Sequence, residues 1–175
     1  VALVVETGLG FADADALISV ADADAYHTAR GNSAWTGADA VKEPAIRRAT
    51  AFLSNSYRWA GGRTHGRRQA LAWPRGGVVD EEGIGIESNE IPIEIMDACA
   101  EIALRELITP GAMNPDFKAS ELVKSEKVGQ IAVEYALSSM NADGQRPVLL
   151  IVRDMITQFL AVGVGNSIVG SSFRV

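Results

Sequence analysis

The sequence predicts an α+β fold that is mainly α, a small four-helix bundle-like domain with short β-hairpins and extended terminal arms. Three observations lead there. Four segments carry apolar residues at helical spacing, the strand-like runs are short and scattered, and glycine-bearing stretches without helical pattern flank both ends. The chain has 175 residues, 47% hydrophobic and 22% charged, which is the length of one domain and the composition of an ordinary soluble one. We expect a single domain over residues 1–161, of which 1–18 is an extended N-terminal segment, and an extended C-terminal arm over 162–175.

The elements follow in chain order. Val1 to Val5 is a short apolar run that suits an edge strand or an arm, and Gly8 and Gly10 make a joint after it. Leu17 to Val20 is again strand-like. Ser19 then starts a helix, because Asp22 three residues on completes a capping-box-like pair. Ala21, Ala25, Tyr26 and Ala29 give this helix a thin apolar face, and Gly31 closes it. A second helix runs from about Asp39 or Pro44 to Trp59, with Pro44 near its first turn. Ile46, Ala49, Phe52, Leu53, Ser56 and Tyr57 should face the core.

Ala60 to Arg68 is a glycine- and arginine-rich loop, and Gln69 to Trp73 starts a helical turn that Pro74 stops. Val78 to Ile86 suits a small hairpin or extended loop. Pro92 opens a third helix to Ile108, with Ile95, Met96, Cys99, Ile102, Ala103 and Leu107 as its buried stripe. Leu122 to Tyr135 predicts two short strands around Val128-Gly129. Pro147 opens a fourth helix to about Ala161, strongly apolar at Val148, Leu149, Val152, Met155, Ile156, Phe159 and Leu160.

The chemistry-bearing residues are sparse. Cys99 is the single cysteine, so an internal disulfide and a cysteine-rich zinc site are excluded, and its place in an apolar stripe predicts a buried, inert thiol. His27 and His65 do not form a metal-ligand pair; His27 is expected to be a half-exposed packing residue. The pairs Asp13/Asp15 and Asp22/Asp24 read as capping and solubility, with no calcium-loop pattern around them. Gly61 to Arg68 lacks the Lys-Ser/Thr ending of a nucleotide-binding loop. No catalytic, cofactor or metal site is expected. The longest apolar run, Val148 to Val164, is broken by Arg153, Asp154, Gln158 and Gly163, so no membrane span is expected, and without a basic N-terminal region no signal peptide either.

Charge is the most informative feature. The net charge is −6, which disfavours a general nucleic-acid binder. Along the chain it is segregated. Residues 47–75 hold seven arginines and no acid, a formal +7. Residues 76–106 hold nine acids against Arg105 alone, a formal −8. The basic run could contact phosphates; the two runs could face each other between copies of the chain; or both could be solvated faces. Arg63, His65, Arg67, Arg68 and Arg75 are therefore the candidate subunit-interface or DNA-contact residues. Tyr57, Trp59 and Trp73 interleave with them, either as bases for stacking single-stranded nucleic acid or as core rings bracketing a surface loop.

Gln69-Ala70-Leu71-Ala72-Trp73-Pro74-Arg75 resembles a motif of tailed-bacteriophage head-tail connector (adaptor, head-completion) proteins, many of which carry an automatic label of DnaT-like single-stranded DNA-binding protein. Supporting segments are Ser19 to Tyr26, the Arg48 to Tyr57 helix with Trp59 after it, Ile91-Pro92, and Val123-Lys124 to Glu134-Tyr135. The resemblance spans roughly Ser19 to Tyr135. It implies a structural virion protein without enzyme activity or cofactor. Such a protein would form a homo-oligomeric ring of about twelve copies beneath the portal protein. The ring would extend the channel for genomic double-stranded DNA and dock the next neck or tail protein. The place implied is the virion neck, with the host cytoplasm during assembly. The resemblance also implies a C-terminal portal-docking arm, here Ile168, Val169, Phe173, Arg174 and Val175. The other function that the label suggests is a single-stranded DNA-binding replication accessory protein.

Overall fold

The structure, a computed structural model, describes residues 2–115 and 147–161, and the backbone alone of 125–128 and 131–134. It is mainly helical. Helices α1 (Val20–Ala29), α2 (Asp39–Ser56), α3 (Ile93–Ile108) and α4 (Leu150–Ile156) are joined by two antiparallel ribbons. Strands β1 (Gly62–Arg63) and β2 (Arg75–Gly76) close the arginine-rich loop, and β3 (Ser125–Val128) pairs with β4 (Ile131–Glu134), two short strands as the alternation predicts.

Helix α3 is the axis of the domain and packs against the other three helices. Its periodicity explains this. Ile95, Cys99, Ile102 and Ala103 recur at helical spacing and are all buried, and they meet Ile46, Ala49, Phe52 and Leu53 of α2 and Val152 and Ile156 of α4 in one cluster. Cys99 lies inside it, 3.4 Å from the Thr50 hydroxyl, and burial pushes its thiol up to about 12, so it is inert near neutral pH.

Helix α1 begins as expected: the Ser19 hydroxyl accepts from the Asp22 N–H at 3.1 Å, and Gly31 follows the helix at φ +66°. Its buried face matches the expectation at Tyr26 but not at the three alanines. Ala21, Ala25 and Ala29 are exposed, whereas Ala23, Tyr26 and His27 are buried. Polar anchors rotate the helix this way. Tyr26 donates to Glu101 at 3.0 Å, and the His27 Nε2–H donates to the Ala100 carbonyl at 3.1 Å. His27 Nδ1 then accepts from Asn32, and the ring lies 4.6 Å from Trp35. His27 is 1% exposed, not half-exposed, because a neutral imidazole with both nitrogens partnered is cheap to bury.

Other boundaries also moved. Leu17 and Ile18 drop into the core beside the bridge between Val5 and Ala16, and Val20 already belongs to α1, so Leu17 to Val20 forms no strand. Pro44 sits in the second turn of α2, and that helix ends at Ser56, three residues before Trp59. No helical turn forms over Gln69–Trp73; a short 3-10 turn stands just before it, at Gly66–Arg68. Helix α4 starts at Leu150 and ends at Ile156, shorter than Pro147 to Ala161. Its C-terminal end tightens to a 3-10 turn over Thr157–Phe159, because Leu160 leaves to bridge Trp59.

Two buried carboxylates close turns. Glu6, 3% exposed, accepts from the N–H groups of Gly8, Gly10 and Phe11 and folds the N-terminal stretch onto the domain. Glu106, 2% exposed, accepts from Arg48 Nε at 2.7 Å and from the N–H groups of Gly111 and Met113. Each carries a full set of partners, which is the condition for burying a charge. Asp15 and Asp24 are likewise structural, taking Arg47 and the Lys42–Trp35 pair respectively. No helix among the described residues is long and apolar enough to cross a membrane.

Candidate functional site

The basic run divides into committed and uncommitted arginines. In α2, Arg47 pairs with Asp15 at 2.6 Å and Arg48 with Glu106. The loop between β1 and β2 carries Arg67 and Arg68, with Arg63 and Arg75 in its flanking strands. Its root is the heptapeptide Gln69 to Arg75. The Gln69 side chain, 1% exposed, donates to the carbonyls of Leu71 and Pro74 at 3.0 and 2.9 Å and accepts from the His65 N–H at 3.4 Å. Arg75 turns inward and donates to the carbonyls of Ala60, Ala72 and Gly61 at 2.6, 3.0 and 2.8 Å, with Trp59 at 3.4 Å. Its guanidinium gathers backbone carbonyls that have no partner in a helix or sheet, as the planar five-donor fork is suited to do. Gly61, at φ +62°, passes so close to the Gly76 carbonyl that a β-carbon would overlap it.

Trp73 is fully buried between Trp59 and Phe159, edge to face at 5.7 Å from each. The interleaved aromatics therefore belong to the core. Trp35, Trp59 and Trp73 are all buried, Tyr57 is half-buried, and no Phe, Tyr or Trp ring among the described residues is exposed.

The tip of the loop is different. Arg63, His65, Arg67 and Arg68 are exposed. Arg63 reaches only the Gln69 carbonyl at 3.4 Å, and none of the three arginines forms an ion pair among the described residues. The tip is nonetheless held in place by the β1–β2 pairing, by Gln69, and by Thr64, whose hydroxyl donates to the Ser88 carbonyl at 2.6 Å. Of the five candidate residues, four stand together on this surface, and Arg75 is spent on the fold.

The acidic run builds a groove. A hairpin around the Val79–Gly85 bridge is fastened by Asp80, whose carboxylate accepts from the N–H groups of Glu82 and Ile84. The Glu81 N–H donates to Gln158 and ties the hairpin to the end of α4. Between hairpin and α3 lies a groove of about 580 Å³, lined by Asp80, Glu81, Glu82, Glu90 and Glu94 together with apolar side chains such as Ile91, Ile93 and Met96, with no lysine or arginine lining it. No group of three acids, histidines or cysteines among the described residues could hold a metal ion. The sequence showed the acidic run but not its groove, which forms only where the hairpin meets α3. Ile168, Val169, Phe173, Arg174 and Val175 lie outside the described residues.

No curated protein and no solved structure matches the chain. The family model described as "Putative DnaT-like ssDNA binding protein" matches residues 1–175, the whole length, and the protein belongs to that family.

Proposed function

We propose that the protein is the structural head-to-tail adaptor of a phage neck, assembling head to tail into a ring beneath the portal that extends the DNA channel and docks the next component. The observation that carries this reading is the surface left over once the fold is satisfied. It consists of an uncommitted arginine tip, a carboxylate-lined groove without a base, and exposed apolar side chains at Ile93, Leu150 and Ile151. Opposed charge beside exposed apolar surface suits protein–protein contact. The neck itself comes from the likeness of Gln69–Arg75 and its flanking segments to connector proteins. In this reading the heptapeptide is a scaffold: it shapes the loop and leaves the contacts to the tip.

A second reading, binding of single-stranded DNA, is favoured by Arg63, Arg67 and Arg68 and by the family's description. Among the described residues no Phe, Tyr or Trp ring is exposed for the base stacking on which such surfaces depend, and His65 is the exposed ring at the tip. Electron microscopy of the purified chain, alone and mixed with the portal protein, tests the first reading: rings or portal-bound rings are expected, and their absence from both samples refutes it. Fluorescence anisotropy with labelled oligonucleotides at low salt tests the second, which requires saturable binding that weakens with salt.

A further inference from the structure

We infer that the groove between the 79–85 hairpin and the start of α3 receives the arginine tip of a second copy of this chain. The inference rests on the self-assembling reading above and names the contact that would make it.

The groove is unusual in what it lacks. Five carboxylates line it and no base balances them. None of Glu81, Glu82, Glu90 and Glu94 forms an ion pair among the described residues. Crowded like charges disfavour the compact state unless something answers them. A metal ion is not the answer, since no three of these groups converge on one point. Apolar side chains also line it, among them Ile91, Met96 and Ile93, the last 60% exposed. The occupant must therefore carry positive charge on a stem that can cover apolar surface. Arginine does both: its methylenes lie on the apolar side chains while its fork meets carboxylates two at a time.

The same chain presents that group. Arg63, Arg67 and Arg68 project from a tip whose backbone is already fixed by Gln69, Arg75 and Thr64, so little conformational freedom is lost on docking. Within one molecule no ion pair joins the tip to the groove among the described residues, so the carboxylates are left for another copy. Two different, complementary patches on one molecule make a heterologous contact, which propagates from copy to copy and closes into a ring if the rotation allows.

Sedimentation velocity at low and high salt tests this with two charge-reversed variants, R67E/R68E and E82R/E90R. All four side chains are exposed, so circular dichroism and thermal melting should match the wild type. The wild-type chain should self-associate at low salt and dissociate at high salt. Each variant alone should associate roughly 100-fold more weakly, because like charges then meet. An equimolar mixture should regain association, since the acidic tip of one variant fits the basic groove of the other and the reverse holds as well. A wild type that stays monomeric at low salt overturns the inference, as do variants that assemble unchanged or a mixture that does not recover. Failure of the adaptor reading looks different: association that obeys the charge swaps but stops at a closed dimer keeps the contact and removes the ring. Rings indifferent to the swaps keep the adaptor and remove the contact.

Discussion

The root and the tip of the arginine-rich loop are neighbours in sequence and opposites in use. At the root, Arg75 gives its donors to backbone carbonyls of residues 59–61 and 72, and Gln69 holds two more from within the fold. At the tip, Arg67 and Arg68 stand in solvent without an ion pair among the described residues. The same side chain is structural where orphaned carbonyls surround it and available where water does. A charge run therefore has to be divided residue by residue before it is assigned to a partner.

That contrast can be broken at its base. Trp73→Ala should destabilise the protein by ~3–5 kcal/mol, read from the urea midpoint, because it removes a fully buried indole packed against Trp59 and Phe159. Arg75→Ala should cost about 2 kcal/mol, since it leaves a cluster of carbonyls unpartnered. A loss under about 0.5 kcal/mol would place Arg75 with the tip and erase the division.

A pH titration reaches His27, outside the arginine loop. Burial lowers the His27 pKa below its usual 6.5, although Glu101 and the Ala100 carbonyl act the other way. The unfolded chain then takes up a proton before the folded one does, so stability should fall as pH drops below about 6.5 and stop falling once both states are protonated. Urea midpoints between pH 8 and pH 5 should show this slope, and His27→Gln should flatten it while leaving the carboxylate titrations lower down. The smallest effect belongs to the tip: R67A/R68A should change stability by less than about 0.5 kcal/mol, because neither guanidinium holds anything in the fold. A larger loss would mean that the tip is structural after all.

Much of the fold was legible before the structure. Helix α3 matched its predicted range to within one residue, from Pro92 as cap to Ile108, since a continuous stripe from Ile95 to Ala103 leaves little freedom. The Ser19 cap and the pairing of β3 with β4 were legible for the same local reason. The extent of helix α1 was legible but its buried face was legible only at Tyr26, because its alanines give almost no preferred face and long-range partners on α3 bring His27 inside as well. The end of α4 escaped because a bridge between Leu160 and Trp59, a hundred residues apart, decides it.

The candidate site divides in the same way. Composition and order determined that seven arginines precede nine acids, that Cys99 is buried, and that the chain holds few groups able to do chemistry. These are properties of side-chain type and local period, so the sequence carries them in full. Only the tertiary structure decided which arginines are consumed, that the aromatics lie inside, and that the acids line a groove. Those outcomes depend on which backbone carbonyls are left without partners and which surfaces are covered, and both are set by contacts between residues far apart in the chain.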